Sequence, residues 1–166
     1  MPDPQVRRAD VADVDALARC HLACWREAYA GLMPADVLEA RTADLDGRRE
    51  RWSSALEGTS RTYVAVIDCE VVGFASAGAP RDEDLAHVVE LHAFYIRARL
   101  YGSGLADRLS EPAIGEQAAY LWVLATNPRA LAYYRKIGFT ADGHTKTDEG
   151  FGDAIVMRMV RVARHK

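Results

Sequence analysis

Glu90-Leu91-His92-Ala93-Phe94-Tyr95-Ile96, a short gap, then Tyr101-Gly102-Ser103-Gly104-Leu105-Ala106: this stretch decides how the chain is read. The first part belongs to an apolar, partly aromatic run, Val88 to Ile96, that reads as a strand. The second is a Gly-x-Gly turn opening a helix. Such a turn suits a phosphate, because glycines let the backbone approach closely, successive N–H groups converge, and a helix N-terminus adds partial positive charge. Two glycines alone describe a tight strand-to-helix turn equally well. A Walker turn would need Lys and then Ser or Thr after the last glycine, where Leu105 and Ala106 stand. A dinucleotide fingerprint would need three glycines and an acidic residue roughly 20 positions on.

Outward from this turn, Tyr120 to Ala125 reads as the next strand, so strand, helix and strand form a βαβ unit with a parallel pair. Upstream, Gln5 to Arg8 is a short strand. Asp13 is the expected N-cap of a helix running to about Tyr29, with Leu17, Cys20, Cys24 and Ala28 on one stripe. Gly31 ends it, and Pro34 suits the first turn of a second helix. Leu45 to Leu56 is a third, charged on most faces. Thr62 to Ile67 and Val71 to Ala77 form a hairpin around Asp68-Cys69-Glu70. Pro80 to Ala86 is an acidic loop expected to be mobile and solvated. Downstream, Pro128 to Ile137 is a helix with Gly138 at its C-terminal cap, Phe139 re-enters a strand, and Ala154 to Val162 is the terminal strand. The expected fold is α/β of the α+β type. It has a mixed, mostly antiparallel twisted sheet flanked by helices, with a central parallel βαβ unit, in one domain over 1–166.

The bulk numbers narrow the classes of function. At 166 residues the chain can bury one sizeable core. A net charge of -3 without a basic block argues against nucleic acid as a partner. No apolar run reaches the roughly 18 residues of a membrane span, and Met1 to Asp10 is too polar for a signal peptide. A cytoplasmic protein is expected. Three cysteines, Cys20, Cys24 and Cys69, suit buried core positions better than disulfides or a metal site, and no metal is expected.

The strand and turn together resemble the fourth strand and pyrophosphate loop of the GNAT superfamily of N-acetyltransferases, written Gln/Arg-x-x-Gly-x-Gly/Ala. Spacing from Ile96 puts Tyr101 at the first position, Gly104 at the central glycine and Ala106 at the last. The register starting at Arg99, with Gly102 and Gly104, fits the letters too, but the first keeps the family's loop length. Tyr in place of Gln is a departure that leaves the backbone N–H groups available. A second block, Asn127-Pro128-Arg129-Ala130-Leu131-Ala132-Tyr133-Tyr134-Arg135-Lys136-Ile137-Gly138-Phe139, is similar to the family's Asn-x-x-Ala-x-x-Phe-Tyr-x-Lys-x-Gly-Phe segment. Pro112 departs from an ideal helix after the loop and should kink or shorten it.

The resemblance implies acetyl-CoA as cosubstrate, attacked directly by an amine in a ternary complex. Its pyrophosphate would lie on Tyr101, Gly102, Ser103, Gly104, Leu105 and Ala106. Its pantetheine arm and carbonyl would lie against the backbone of Phe94, Tyr95 and Ile96, with Asn127 assisting, and Tyr134 would be the general acid. Glu90 and His92 alternate on one strand face, and either could act as base through water. The acceptor pocket would draw on Trp25, Tyr29, Leu32 and Met33, although core packing suits Trp25 as well. The acidic Asp82, Glu83 and Asp84 could attract a cationic amine. The acceptor expected is a primary amine on a small molecule. The alternatives are a peptide N-terminus, or a non-catalytic acyl-CoA-binding domain. The family resemblance also leaves a homodimer open.

Overall fold

Asp68 and Cys69 take the chain through the first hairpin with both residues at positive φ, 47° and 67°. That conformation matches the twist of paired strands, so two residues suffice and Ile67 already pairs with Glu70. The computed structural model describes residues 2–165. Among these, seven strands build one sheet in the order β1-β2-β3-β4-β5-β7-β6. They are β1 (Gln5–Arg8), β2 (Arg61–Ile67), β3 (Glu70–Gly78), β4 (Val89–Ile96), β5 (Ala119–Leu124), β6 (Thr140–Asp148) and β7 (Ala154–Arg161). The helices are α1 (Val14–Tyr29), α2 (Ala35–Ala43), α3 (Leu45–Glu57), α4 (Leu105–Ile114) and α5 (Pro128–Lys136). All neighbouring strands are antiparallel except β4 and β5. The expected mixed, mostly antiparallel sheet with one parallel pair is therefore present. No helix is long and apolar enough to cross a membrane among the described residues.

Alternation along the strands supplies two apolar faces. Ala65, Val72 and Ala75 face Leu105, Leu109 and Ala113 of α4, whereas Val64, Val71 and Phe74 face Leu17, Cys20 and Cys24 of α1 and Trp52 of α3. A third cluster joins Trp25, Tyr29 and Met33 to Leu124 and Val156, at the end of the sheet where α1 stops. Truncating a fully buried residue such as Leu109 to Ala should cost about 2–5 kcal/mol.

Several local expectations are corrected. Asp13 precedes α1 but makes no side-chain cap; Asp10 caps a short 3-10 turn instead, in a reciprocal capping box. The Asp13 carboxylate is taken by Arg7 through two 2.8 Å bonds, which hold its pKa below the ordinary range against the effect of burial. Pro34 stands at the cap of α2 rather than in its first turn. Cys20 and Cys24 are buried with their sulfurs 3.8 Å apart, but Cys69 is exposed because the hairpin turn holds it outward. Pro112 lies inside α4, which ends two residues later at Ile114.

The acidic loop is the largest correction: it is held in place. Asp82 Oδ2 accepts from Trp122 Nε1 at 3.1 Å and from Arg158 Nη1 at 2.9 Å, and Asp84 takes Arg158 Nη2 at 2.7 Å. Asp142 on β6 completes the set at Arg158 Nε, 2.7 Å. The Arg158 side chain is only 4% exposed, so one buried cation anchors three carboxylates, although its single charge balances only one of them.

Candidate active site

The parallel pairing of β4 and β5 lasts for two steps, Val89 with Ala119 and Glu90 with Tyr120. Beyond them the strands part, and β4 is paired through Ile96 only with β3 on its other side. Its free backbone edge borders a cavity of about 640 Å³ that runs through the sheet from one face to the other. A one-residue bulge where Ser76 pairs with Ala93 but Ala77 with Leu91 bends the strand at this point.

On the face carrying α4, the cavity reaches the Gly-rich turn. Gly102 and Gly104 both adopt left-handed backbone, at φ 76° and 84°, which only glycine takes without strain. Ser103 braces the turn: its Oγ donates to Leu100 O at 2.7 Å and accepts from Leu105 N at 3.3 Å, while its own N–H goes to Leu100 O. Leu105 is buried in the core. The N–H groups of Gly102, Gly104, Ala106 and Asp107 have no acceptor among the described residues. These four residues, with Tyr101, line the cavity, whereas Ser103 and Leu105 do not. Arg129 and Lys136 line the same end; the Arg129 guanidinium covers the Tyr101 ring at 4.0 Å. Lys136 is paired with Asp107 Oδ2 at 2.9 Å, so four open N–H groups, a helix N-terminus and the Arg129 cation are what suit a phosphate group.

Helix α5 supplies the middle. Asn127 caps it by accepting from Ala130 N at 3.3 Å, Pro128 starts it, and Asn127 also lines the cavity. Tyr134 projects from the following turns, packed against Phe94 and Phe139 with centroids 6.4 and 5.9 Å away. Its hydroxyl makes no hydrogen bond among the described residues, and burial pushes its pKa well above that of a free phenol. The adjacent Tyr133 donates to Ser110 Oγ at 3.2 Å, so of the two only Tyr134 keeps an uncommitted hydroxyl.

The opposite face is built by α1 and Tyr95. The hydroxyls of Tyr29 and Tyr95 are 2.8 Å apart, and burial raises the Tyr95 pKa to about 12. Trp25 lies at the wall, stacked on Phe151 at 5.0 Å and crossed by Tyr29 at 5.1 Å. Leu32 and Met33 pack in the neighbouring apolar cluster and do not border the cavity. Arg48, Trp122 and Phe151 border it without having been singled out in the sequence. They lie on α3, β5 and the β6–β7 connection, and no local pattern distinguishes them from surface or core residues.

Glu90 and His92 sit together near the point where the strands part. Glu90, 1% exposed, takes Arg81 Nη2 at 2.6 Å, the Arg81 backbone N–H at 3.0 Å and the Tyr120 hydroxyl at 2.9 Å. Burial alone would raise its pKa, but Arg81 and Tyr120 outweigh that and hold it below the ordinary range. His92 Nε2 is 2.9 Å from Ala79 O and 3.7 Å from the Glu90 carboxylate.

The family model described as Acetyltransferase (GNAT) family matches residues 17–139 of this chain. A Bacillus subtilis (strain 168) protein described as the uncharacterized N-acetyltransferase YuaI is 28% identical over 136 residues, spanning 77% of this chain and 76% of that protein. The crystal structure of PaiA N-acetyltransferase from Thermoplasma acidophilum in complex with coenzyme A has a TM-score of 0.73 at 18% identity, over 95% of this chain and 98% of that one. Ribosomal-protein-alanine N-acetyltransferase from Brucella melitensis has a TM-score of 0.72 at 22% identity, over 95% and 99%. At these identities the structural likeness is one of fold.

Proposed function

The chain belongs to the acetyltransferase (GNAT) family and is an N-acetyltransferase, and on that premise we propose that it moves the acetyl group of acetyl-CoA to a primary amine of a small molecule, residues 1–166 acting as one domain. One observation carries this reading: the open N–H groups of the Gly-rich turn, the unpaired edge of β4 and the free hydroxyl of Tyr134 border a single cavity. The relative from Thermoplasma acidophilum, crystallised with coenzyme A, supports the choice of cosubstrate.

In this reading the N–H groups of Gly102, Gly104, Ala106 and Asp107 hold the pyrophosphate, with Arg129 and Lys136 beside it. The β4 edge at Phe94, Tyr95 and Ile96 lies along the pantetheine arm and polarises the thioester carbonyl. Asn127 adds a side-chain amide on the other bank. The amine attacks from the α1 face, the C–N bond forms, the C–S bond breaks, and Tyr134 donates a hydrogen bond and a proton to the departing thiolate. Direct attack is supported by a cavity lined from both faces of the sheet, where the two substrates would meet from opposite sides. The attacking nitrogen must be neutral. Glu90 stays ionised near neutral pH and, with His92, is placed to draw that proton away through water.

The test is a thermal shift with acetyl-CoA, followed by thiol release from an amine panel. A rise in melting temperature and amine-dependent release are expected. No shift at millimolar acetyl-CoA overturns the cosubstrate assignment, and release that no amine accelerates overturns the acceptor class.

A further inference from the structure

At the α1 face the cavity ends on donors that acetyl transfer does not use. Arg48 of α3 lines this end, and its guanidinium has no hydrogen-bond or ion-pair partner among the described residues; its Nε is buried and unsatisfied. Its Cζ lies 5.9 Å from the centre of the Trp25 ring. Trp25 is 8% exposed, and its Nε1–H, also buried, bonds to nothing. That group is near enough to the Tyr95 hydroxyl to ease its ionisation, without hydrogen-bond geometry. Because Tyr95 and Tyr29 share one hydrogen bond, one of their two hydroxyl protons is left to donate elsewhere. Buried donors in native proteins are nearly always paired. Here two lie unpaired in one cavity wall, and one belongs to a cation.

Charge points the same way. Burial, Arg51 and Arg41 act against the Arg48 cation, while Tyr95 and Asp44 favour it. Neither of those two reaches it as a hydrogen-bond or ion-pair partner among the described residues. The nearby carboxylates keep their charge but turn to backbone donors rather than to Arg48: Asp44 to Gly47 N at 2.9 Å and Asp148 to Gly150 N at 2.7 Å. Farther along the cavity, Glu90 is matched by Arg81, and beside it Asp82 and Asp84 are both anchored on Arg158. A polyamine would meet an unopposed cation here, whereas a carboxylate would meet a planar fork of donors.

Resting on the acetyl-transfer reading above, we propose that the acceptor is an amino acid or similar small amine carrying a carboxylate. Arg48 binds the carboxylate, Trp25 Nε1–H adds a second donor, and the amine points into the gap between β4 and β5. Arg48 and Trp25 are thus the specificity-determining residues.

The experiment is calorimetric titration of the twenty common amino acids and their α-amides into the protein, alone and with coenzyme A. At least one acid should bind tenfold or more tightly than its amide. Arg48→Gln should bring that ratio to within about twofold of unity, and Arg48→Lys should keep part of it. Trp25→Phe, which keeps an aromatic ring against Phe151, should weaken the acid several-fold more than it weakens the amide. No preference for any acid, or a preference that survives Arg48→Gln, overturns the proposal. Thiol release separates it from the reading on which it rests. Acid-selective binding without release leaves the carboxylate site and removes acetyl transfer; release with amides alone does the reverse.

Discussion

Replacing Tyr134 by Phe removes one oxygen and keeps the ring that packs on Phe94, Tyr133 and Phe139. The hydroxyl has no partner among the described residues, so its loss orphans no buried group, and stability should change by less than about 0.5 kcal/mol. Its catalytic worth is another matter. Burial keeps the phenol protonated well past pH 10, so it is a donor throughout the working range. A hydrogen bond to a charged partner contributes about 1.5–3 kcal/mol, which at 1.4 kcal/mol per decade is roughly ten- to a hundredfold in rate. Thiol release at saturating amine and acetyl-CoA should therefore show kcat reduced by that factor. The Kd of coenzyme A, read by calorimetry, should stay within about twofold. A kcat within twofold of the wild type would mean that another group stabilises the thiolate. A melting temperature lowered by several degrees would mean that the hydroxyl is structural, and the argument from its free position would fail.

Gly104→Ala places a side chain at φ 84°, where nothing crowds its Cβ but the backbone is strained by about 1–2 kcal/mol. Acetyl-CoA affinity should fall at least about tenfold as the N–H groups of the turn move; an unchanged Kd would remove the turn from the cofactor site. Arg158→Met leaves Asp82, Asp84 and Asp142 facing one another. Partial hydration of Asp84 limits the cost to about 2–3 kcal/mol, or roughly 4–12 °C in melting temperature; a shift under 2 °C would contradict the assigned role of Arg158 as the anchor of that loop. Glu90 has a folded pKa below its unfolded value of about 4.3, so the stability it contributes is present above that pH and is lost as pH falls through the folded value. Chemical denaturation should show Glu90→Gln less stable than wild type by about 1 kcal/mol near neutrality, with the gap closing toward pH 3. A gap constant down to pH 3 would show that the carboxylate is not held ionised.

What the amino-acid sequence determined by itself lies in segments whose meaning is local. Val89 to Ile96, the left-handed glycines and the start of α4 follow from β-branched and aromatic residues meeting a turn that L side chains resist. The hairpin of β2 and β3 and the capped helix from Pro128 follow from short-range periodicity and turn chemistry in the same way. Membership in the family was legible too, because its two blocks carry those local signals in order. Tertiary structure alone decided what joins distant residues. It put β7 between β5 and β6, and it gave Glu90 to Arg81 and Tyr120. It also joined Asp82 and Asp84 to Arg158, more than 70 positions away, turning an apparently solvated acidic loop into an anchored one. Arg48 shows the difference most plainly: on α3 it is one arginine among several, and only the folded chain leaves it half-buried, beside Trp25 and without a counter-ion. A charge pattern along the chain records which ions exist, whereas their pairing depends on distances that folding sets.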